Sequence, residues 1–275
     1  MNGSNRSFKR VIEIHGRRLE IHGSNDGLDA QVIVGVTLHN QASCLNRCFN
    51  SIIDQENLAE AAVLVVNDNS SDLWRKSISR LTAGVRMVTA TGVFGSPGAT
   101  RNGLLDLVDI LFPKAKWVAR MDADDRFSST DSLAQTIELA ASKSAEFVLG
   151  GNRLCHEGKL LDYANPADES LLQARHVVER LRGMASGDPK AELPSCNLVL
   201  ATRLGRRYPE HISGEDHWLV SKLLLTRGRH GAILQSPFYA DYSLGGEATV
   251  RHRNERRYIE SRRALLEEAL AWKQE

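Results

Sequence analysis

Asp122, Asp124 and Asp125 place three carboxylates within four residues, and at that spacing they repel one another unless a cation compensates. Alternate residues at a strand end point to one side, so Asp122 and Asp124 can converge on a hard divalent ion such as magnesium or manganese. Such an ion keeps several waters and takes further oxygens from a substrate diphosphate. An acidic turn capping a helix is the ordinary use of the same residues. A second acidic pair, Glu215-Asp216, follows Gly214 at the start of a helical stretch. Its ordinary role is capping and dipole compensation. Its chemical role is general base, which needs one carboxylate close to a substrate hydroxyl.

Two further stretches offer ligand contacts. In Asn67-Asp68-Asn69-Ser70-Ser71-Asp72, Asp68 is an acceptor suited to a base N–H. In Gly95-Ser96-Pro97-Gly98-Ala99-Thr100-Arg101-Asn102, Arg101 offers a planar fork for phosphate or carboxylate, and is equally able to pair with a neighbouring acid. Glycines 92, 95 and 98 allow close backbone approach. Their spacing is neither the dinucleotide fingerprint nor a P-loop.

These residues need elements to position them. Val32–Val36, Ala62–Val66, Val85–Val88 and Trp117–Met121 are short apolar runs fit for buried strands, separated by amphipathic helical stretches. That alternation predicts an α/β fold with a mostly parallel central sheet flanked by helices. Ligands bind such sheets beyond the carboxyl ends of the strands. Thr37–Asn40, Asn67–Asp72, Thr89–Gly98 and Asp122–Asp125 all fall there. Ser71 or Asp72 is expected to cap one helix and Ser129 or Thr130 another. Residues 12–16 and 19–23 alternate in the same way around Arg17-Arg18, which predicts an N-terminal β-hairpin appendage. Its His15 and His22 read as cross-strand neighbours rather than metal ligands.

Composition narrows the classes. Among 275 residues, 35 Lys+Arg against 34 Asp+Glu give a net charge of +1, which argues against a general nucleic-acid or anionic-membrane binder. No apolar run approaches the roughly 18 residues of a membrane span. The N-terminus has no apolar core for a secretory signal. Cys44, Cys48, Cys155 and Cys196 lack the paired spacing of a zinc site, and read as reduced thiols. The expectation is a cytoplasmic protein, free or peripheral to a membrane.

Taken in order, Val32–Asn40, Val65–Asp72, Gly98–Gly103, Asp122–Asp125 and Glu215-Asp216 resemble a family 2 inverting glycosyltransferase of the GT-A fold, over roughly residues 31–245. The resemblance implies that Thr37, His39, Asn40, Asp68, Arg101, Asn102 and Asp122 bind the donor nucleotide. It implies that Asp122 and Asp124 are the pair contacting ribose and metal, and that Asp216, with Glu215 beside it, is the catalytic base. Arg251, His252 or Arg253 would reach the diphosphate; a solvated basic helix is the other reading of that tail. His39 stands where tyrosine is frequent, Thr37-Leu38 replaces a Pro-containing start, and Asn67 and Asn69 replace the usual Asp and Gly.

The chain then divides into a hairpin (1–28), a nucleotide-sugar half (29–126), an acceptor half (127–245) and a basic segment with a helix (246–275). The expected activity is Mn2+- or Mg2+-dependent transfer of a hexosyl or N-acetylhexosaminyl group from a nucleoside diphosphate-sugar, by family preference a UDP-sugar, to an unidentified hydroxyl or amine. Alternatives are a non-catalytic sugar-nucleotide-binding module and, lower, a sugar-1-phosphate nucleotidyltransferase, whose Gly-rich loop after strand one is missing from Thr37–Asn40. A glycoside hydrolase would need two acids flanking one bond, which suits the clustered acids less well.

Overall fold

The computed structural model describes residues 7–24, 28–56, 60–79, 85–196, 198–205, 207–210, 214–236, 238–244 and 256–272. Strands β1 (Ser7–Ile14) and β2 (Arg17–Ser24) form the expected hairpin. His15 and Gly16 turn the chain with φ of 49° and 72°. Then follow β3 (Val32–Leu38), α1 (Leu45–Ile53), β4 (Ala61–Asp68), α2 (Trp74–Ser79), β5 (Met87–Gly92), α3 (Pro97–Leu111) and β6 (Trp117–Asp122). The second half holds β7 (Arg126–Phe127), α4 (Ser132–Ser142), β8 (Phe147–Gly150), β9 (Asn152–His156), β10 (Lys159–Asn165), α5 (Ala174–Ser186) and β11 (Leu198–Ala201). It closes with α6 (Glu215–Arg227), β12 (Gly231–Leu234), β13 (Ala240–Ser243) and α7 (Arg256–Ala269).

Nine strands form one sheet in the order β1-β2-β5-β4-β3-β6-β11-β8-β12. Its centre, β5-β4-β3-β6, is parallel throughout. The α/β architecture is thus the expected one. Along β3 and β4 the buried side chains alternate between two clusters. Ile33, Ala62, Leu64 and Val66 face α3, while Val34, Val36, Val63 and Val65 face α1 and α2. Burial on both faces explains the unbroken apolar runs, each such side chain contributing roughly 1.5–3 kcal/mol. Gly35 lets α3 lie close over β3, since a Cβ there would sit 2.7 Å from Leu104.

Several expectations need correction. The hairpin is no appendage: β2 pairs antiparallel with β5, and its Leu19 and Ile21 are fully buried in the main core. His15 and His22 are not cross-strand neighbours, because His22 faces Lys9 in the hairpin and Thr89 in β5. Asp72 does not cap α2, which begins at Trp74; its carboxylate accepts from the Ala42 N–H at 2.7 Å. Asp131, without a side-chain capping bond, precedes α4 in place of Ser129 or Thr130. Gly92 and Gly98 are required by packing, with a Cβ meeting the Leu19 side chain at 2.2 Å and the Pro209 carbonyl at 2.3 Å.

A second, four-stranded sheet, β10-β9-β13-β7, departs from β6 directly after the acidic turn. Its strands lack the alternation that marks a half-buried strand: four consecutive residues of β10 are exposed, and β7 has only two residues. The four cysteines form no disulfide and include three buried thiols. Among the described residues no helix is long and apolar enough to cross a membrane.

Candidate functional site

The carboxyl ends of β3, β4 and β6 carry the site, as the parallel sheet requires. The loops after β3 and β4 are tied by side chains that act on backbone. Asn40, at φ 53°, accepts from the Ser71 N–H at 2.8 Å, and its own N–H donates to Ser70 Oγ at 2.9 Å. His39 Nδ1 donates to the Asp68 carbonyl at 2.6 Å. The Asp68 carboxylate accepts from the Phe94 N–H at 2.7 Å, the Gly95 N–H at 3.2 Å and the Thr100 hydroxyl at 3.3 Å. It therefore organises the start of α3, where Ser96 caps through the Ala99 N–H.

Residue 122 ends β6 as its last strand position. Arg120, two residues earlier on the same side, reaches its oxygens at 2.6 and 2.8 Å, and Arg101 of α3 approaches both at 3.3 Å. The Thr37 hydroxyl donates to it at 3.3 Å. Burial pushes the Asp122 carboxyl up, but Arg120 and then Arg101 outweigh it and leave it below the usual range. Asp124, half-buried, is the opposite case. Burial and then the charge of Asp122 push its carboxyl up to about 6. No other described residue hydrogen-bonds the Asp124 carboxylate, and Arg47 donates to its carbonyl instead. Asp125 is fully buried, accepts from the Ser243 N–H at 2.8 Å, and is pushed well up by burial and its two acidic neighbours.

Arg101 joins this turn to the second acidic pair. Its other terminal nitrogen pairs with Glu215, the first residue of α6, and both side chains are nearly buried. Gly214, at φ 82°, sets up the helix start. Asp216 accepts from the Ser195 hydroxyl and from the His217 N–H, each at 2.8 Å. Burial would raise its carboxyl, but His217, Arg101, Arg120 and Arg262 hold it well below the usual range. Behind it, His217 Nε2 lies 3.1 Å from Glu192, whose other oxygen accepts from the Tyr258 hydroxyl of α7. Burial acts upward on Glu192, yet His217, Arg262 and the Tyr258 bond bring it down to about 2.

The structure thus brings Thr37, Arg101, Asp122, Glu215 and Asp216 into one connected group. His39, Asn40 and Asp68 form a separate loop network beside it. Asn102 stands apart from both, exchanging two 2.8 Å bonds with the backbone of Tyr208 and so fixing that segment. Arg251, His252 and Arg253 lie outside the described residues. The basic tail is only in part a solvated helix, because Arg262 is 5% exposed and lies against Gly214 and the Tyr258 ring. Sequence reading missed Arg120, Ser195, Glu192, Tyr258 and Arg262. Only Arg120 left a signal, as a lone arginine in an apolar strand two residues before an acid. Burial pushes the Cys48 and Cys196 thiols well up, which removes both as nucleophiles.

Comparison with known proteins decides the family. Residues 33–178, more than half the chain, match the family model described as "Glycosyl transferase family 2". The chain belongs to glycosyl transferase family 2. Solved structures agree in fold. TarS of S. aureus (residues 1–349) in complex with UDP is 18% identical, with a TM-score of 0.59 over 87% of this chain and 70% of that one. Its complex with UDP-GlcNAc gives 16% and 0.59, over 87% and 71%. Mannosyltransferase PcManGT from Pyrobaculum calidifontis, in complex with GDP-Man and Mn2+, is 16% identical with a TM-score of 0.56, over 82% of this chain and 61% of that one. No protein of curated function matches at a significant level. Family membership marks the chain as a glycosyltransferase, and the solved structures agree with it in fold.

Proposed function

We propose that this glycosyltransferase moves a hexosyl or N-acetylhexosaminyl group from a nucleoside diphosphate-sugar, a UDP-sugar by preference, to an acceptor hydroxyl or amine with inversion. The observation that carries the reading is Arg101, which pairs with both Asp122 and Glu215 and so fixes the two acidic motifs relative to one another. Residues 29–126 serve the donor and 127–245 the acceptor. Asp216 accepts the proton of the acceptor as it attacks the anomeric carbon, opposite the departing diphosphate. With Ser195 and the His217 N–H occupying part of its capacity, one carboxylate is aimed and kept ionised. Arg101, Arg120 and Arg262 make it a weak base in the free protein. The negative charge of a bound donor offsets these arginines and raises the basicity of Asp216 when it is needed.

Among the described residues no three His, Cys, Asp or Glu groups are arranged to hold a metal ion. A single-carboxylate hold still fits. Asp124 is raised to about 6 by burial and the Asp122 charge, so a divalent cation there relieves an existing strain on its ionised form. Asp122, engaged by two arginines, supports Asp124 more than it binds. Mn2+ or Mg2+, when bound, supplies charge neutralisation on the leaving diphosphate. The mannosyltransferase in complex with GDP-Man and Mn2+ supports this reading. The free cysteines suit a cytoplasmic enzyme, free or peripheral to a membrane.

A panel of UDP-, GDP- and other nucleotide sugars, each with Mn2+ or Mg2+, tests the proposal by release of nucleoside diphosphate. Turnover that requires Asp216 supports it. Tight donor binding with no turnover of any donor replaces it with a sugar-nucleotide-binding module.

A further inference from the structure

The small sheet carries a row of charge that the reaction above does not use. Asp241, 2% exposed, lies in the middle of three adjacent strands, in register with Arg126 of β7 on one side and Arg153 of β9 on the other. Arg126 Nε donates to Oδ2 at 2.8 Å, and Arg153 Nε donates to Oδ1 at 2.6 Å. Each oxygen of one carboxylate is thus matched by one guanidinium.

One arginine is enough to compensate one buried carboxylate, and here there are two, so the row keeps one positive charge. Both arginine side chains stay about a third open to solvent, at 32% and 34%. Arg153 also donates from Nη2 to the Ser128 carbonyl at 3.0 Å. Both Nη groups of Arg126, and Nη1 of Arg153, make no hydrogen bond to a described residue. Those N–H donors remain for a ligand, on the planar group that matches phosphate or carboxylate. Asp241 pins both arginines through Nε, so little side-chain freedom is lost when an anion arrives. The row also has a defined place. Arg126 opens β7 two residues after Asp124, as the last residue of the half proposed for the donor, while Arg153 and Asp241 lie in the half proposed for the acceptor.

We propose that Arg126 and Arg153 form an anion subsite on the acceptor side of the site, and that the acceptor carries a phosphate or carboxylate seated there. The subsite stands on the row itself; only its assignment to the acceptor rests on the glycosyltransferase reading. An uncharged sugar acceptor would leave the excess positive charge without a partner.

The test is a titration of the full chain, with arginine side-chain N–H signals followed by NMR and the donor site filled with UDP and Mg2+. Inorganic phosphate is added first, then glycerol 3-phosphate and glycerate in separate arms, with glycerol as the neutral control. The expected result is a saturable shift of the Arg126 and Arg153 Nε–H signals with the anions and none with glycerol. The stronger of the two glycerol-derived arms tells phosphate from carboxylate. Arg153→Gln should weaken anion binding about tenfold or more, the loss of a charge-assisted hydrogen bond. Arg153→Lys, which keeps Asp241 compensated but removes the fork, should lose nearly as much. Absence of any saturable shift in the unsubstituted protein, or equal affinity in a folded Arg153→Lys variant, overturns the subsite. If UDP does not bind, the donor reading fails instead, and the same titration without UDP still decides the subsite.

Discussion

The two acidic motifs use the same arginine and end in opposite electrostatic states. In each, one carboxylate is spent on Arg101: Asp122 after β6 and Glu215 at the start of α6. The remaining partners differ. The Asp124 carboxylate accepts no hydrogen bond from another described residue and is pushed up to about 6 by burial and Asp122 despite Arg47 and Arg101 nearby. Asp216, in contrast, has Ser195, the His217 N–H and nearby arginines, and is held low. A carboxylate that resists ionisation is suited to receive a metal ion. One that is kept ionised and aimed is free to take a proton once a bound donor's negative charge offsets the arginines that hold it low. The contrast supports the roles proposed for Asp124 and Asp216, which residue type alone leaves open, since all four side chains are Asp or Glu.

The contrast can be broken at its strongest point first. Asp216→Asn should lower turnover by about 10³-fold or more while leaving donor affinity within a few fold, read from initial rates and donor titration. Unchanged turnover would take the base role from Asp216. Next in size, Arg101→Met leaves Glu215 buried and unpaired. It should cost about 3–5 kcal/mol in chemical denaturation, and the double variant with Glu215→Gln should recover part of that loss. Asp124→Asn should reduce the thermal shift produced by UDP with Mn2+ to that produced by UDP alone. An undiminished shift would move the metal elsewhere.

Two smaller effects sharpen the environment of Asp216. Glu192 lies at about 2 in the folded protein, below its usual value near 4.3, so its stabilising contribution is complete above pH 5 and is lost as pH falls toward 2. Glu192→Gln should flatten that part of a stability-against-pH curve. Ser195→Ala should remove about 1 kcal/mol of support from Asp216 and lower kcat several-fold with little change in donor KM. A change in donor KM alone would place Ser195 with the donor instead.

The parallel core, the hairpin and the start of α6 were legible in the sequence. The runs at Val32–Val36 and Ala62–Val66 are buried on both faces and need no partner to be recognised. The small sheet was not legible, because β7 is two residues long and β10 is mostly exposed, so neither has a period to detect. Ser195, Glu192 and Arg262 were invisible as site residues for a related reason. Glu192 and Ser195 reach the Asp216 region from the loop before β11 and Arg262 from α7, and no local spacing connects Glu192 to Tyr258, 66 residues later.

By itself, the sequence determined which carboxylates exist, that they lie at a strand end and a helix start, and that an α/β sheet carries them. Those are local facts, fixed by residue type, periodicity and caps. Tertiary structure alone decided which acids share Arg101, which carboxylate accepts no bond from another described residue, and that Arg126 and Arg153 flank Asp241. The physical reason is distance. Coulomb and hydrogen-bond terms depend on separations in space, and folding brings together side chains that are unrelated along the chain.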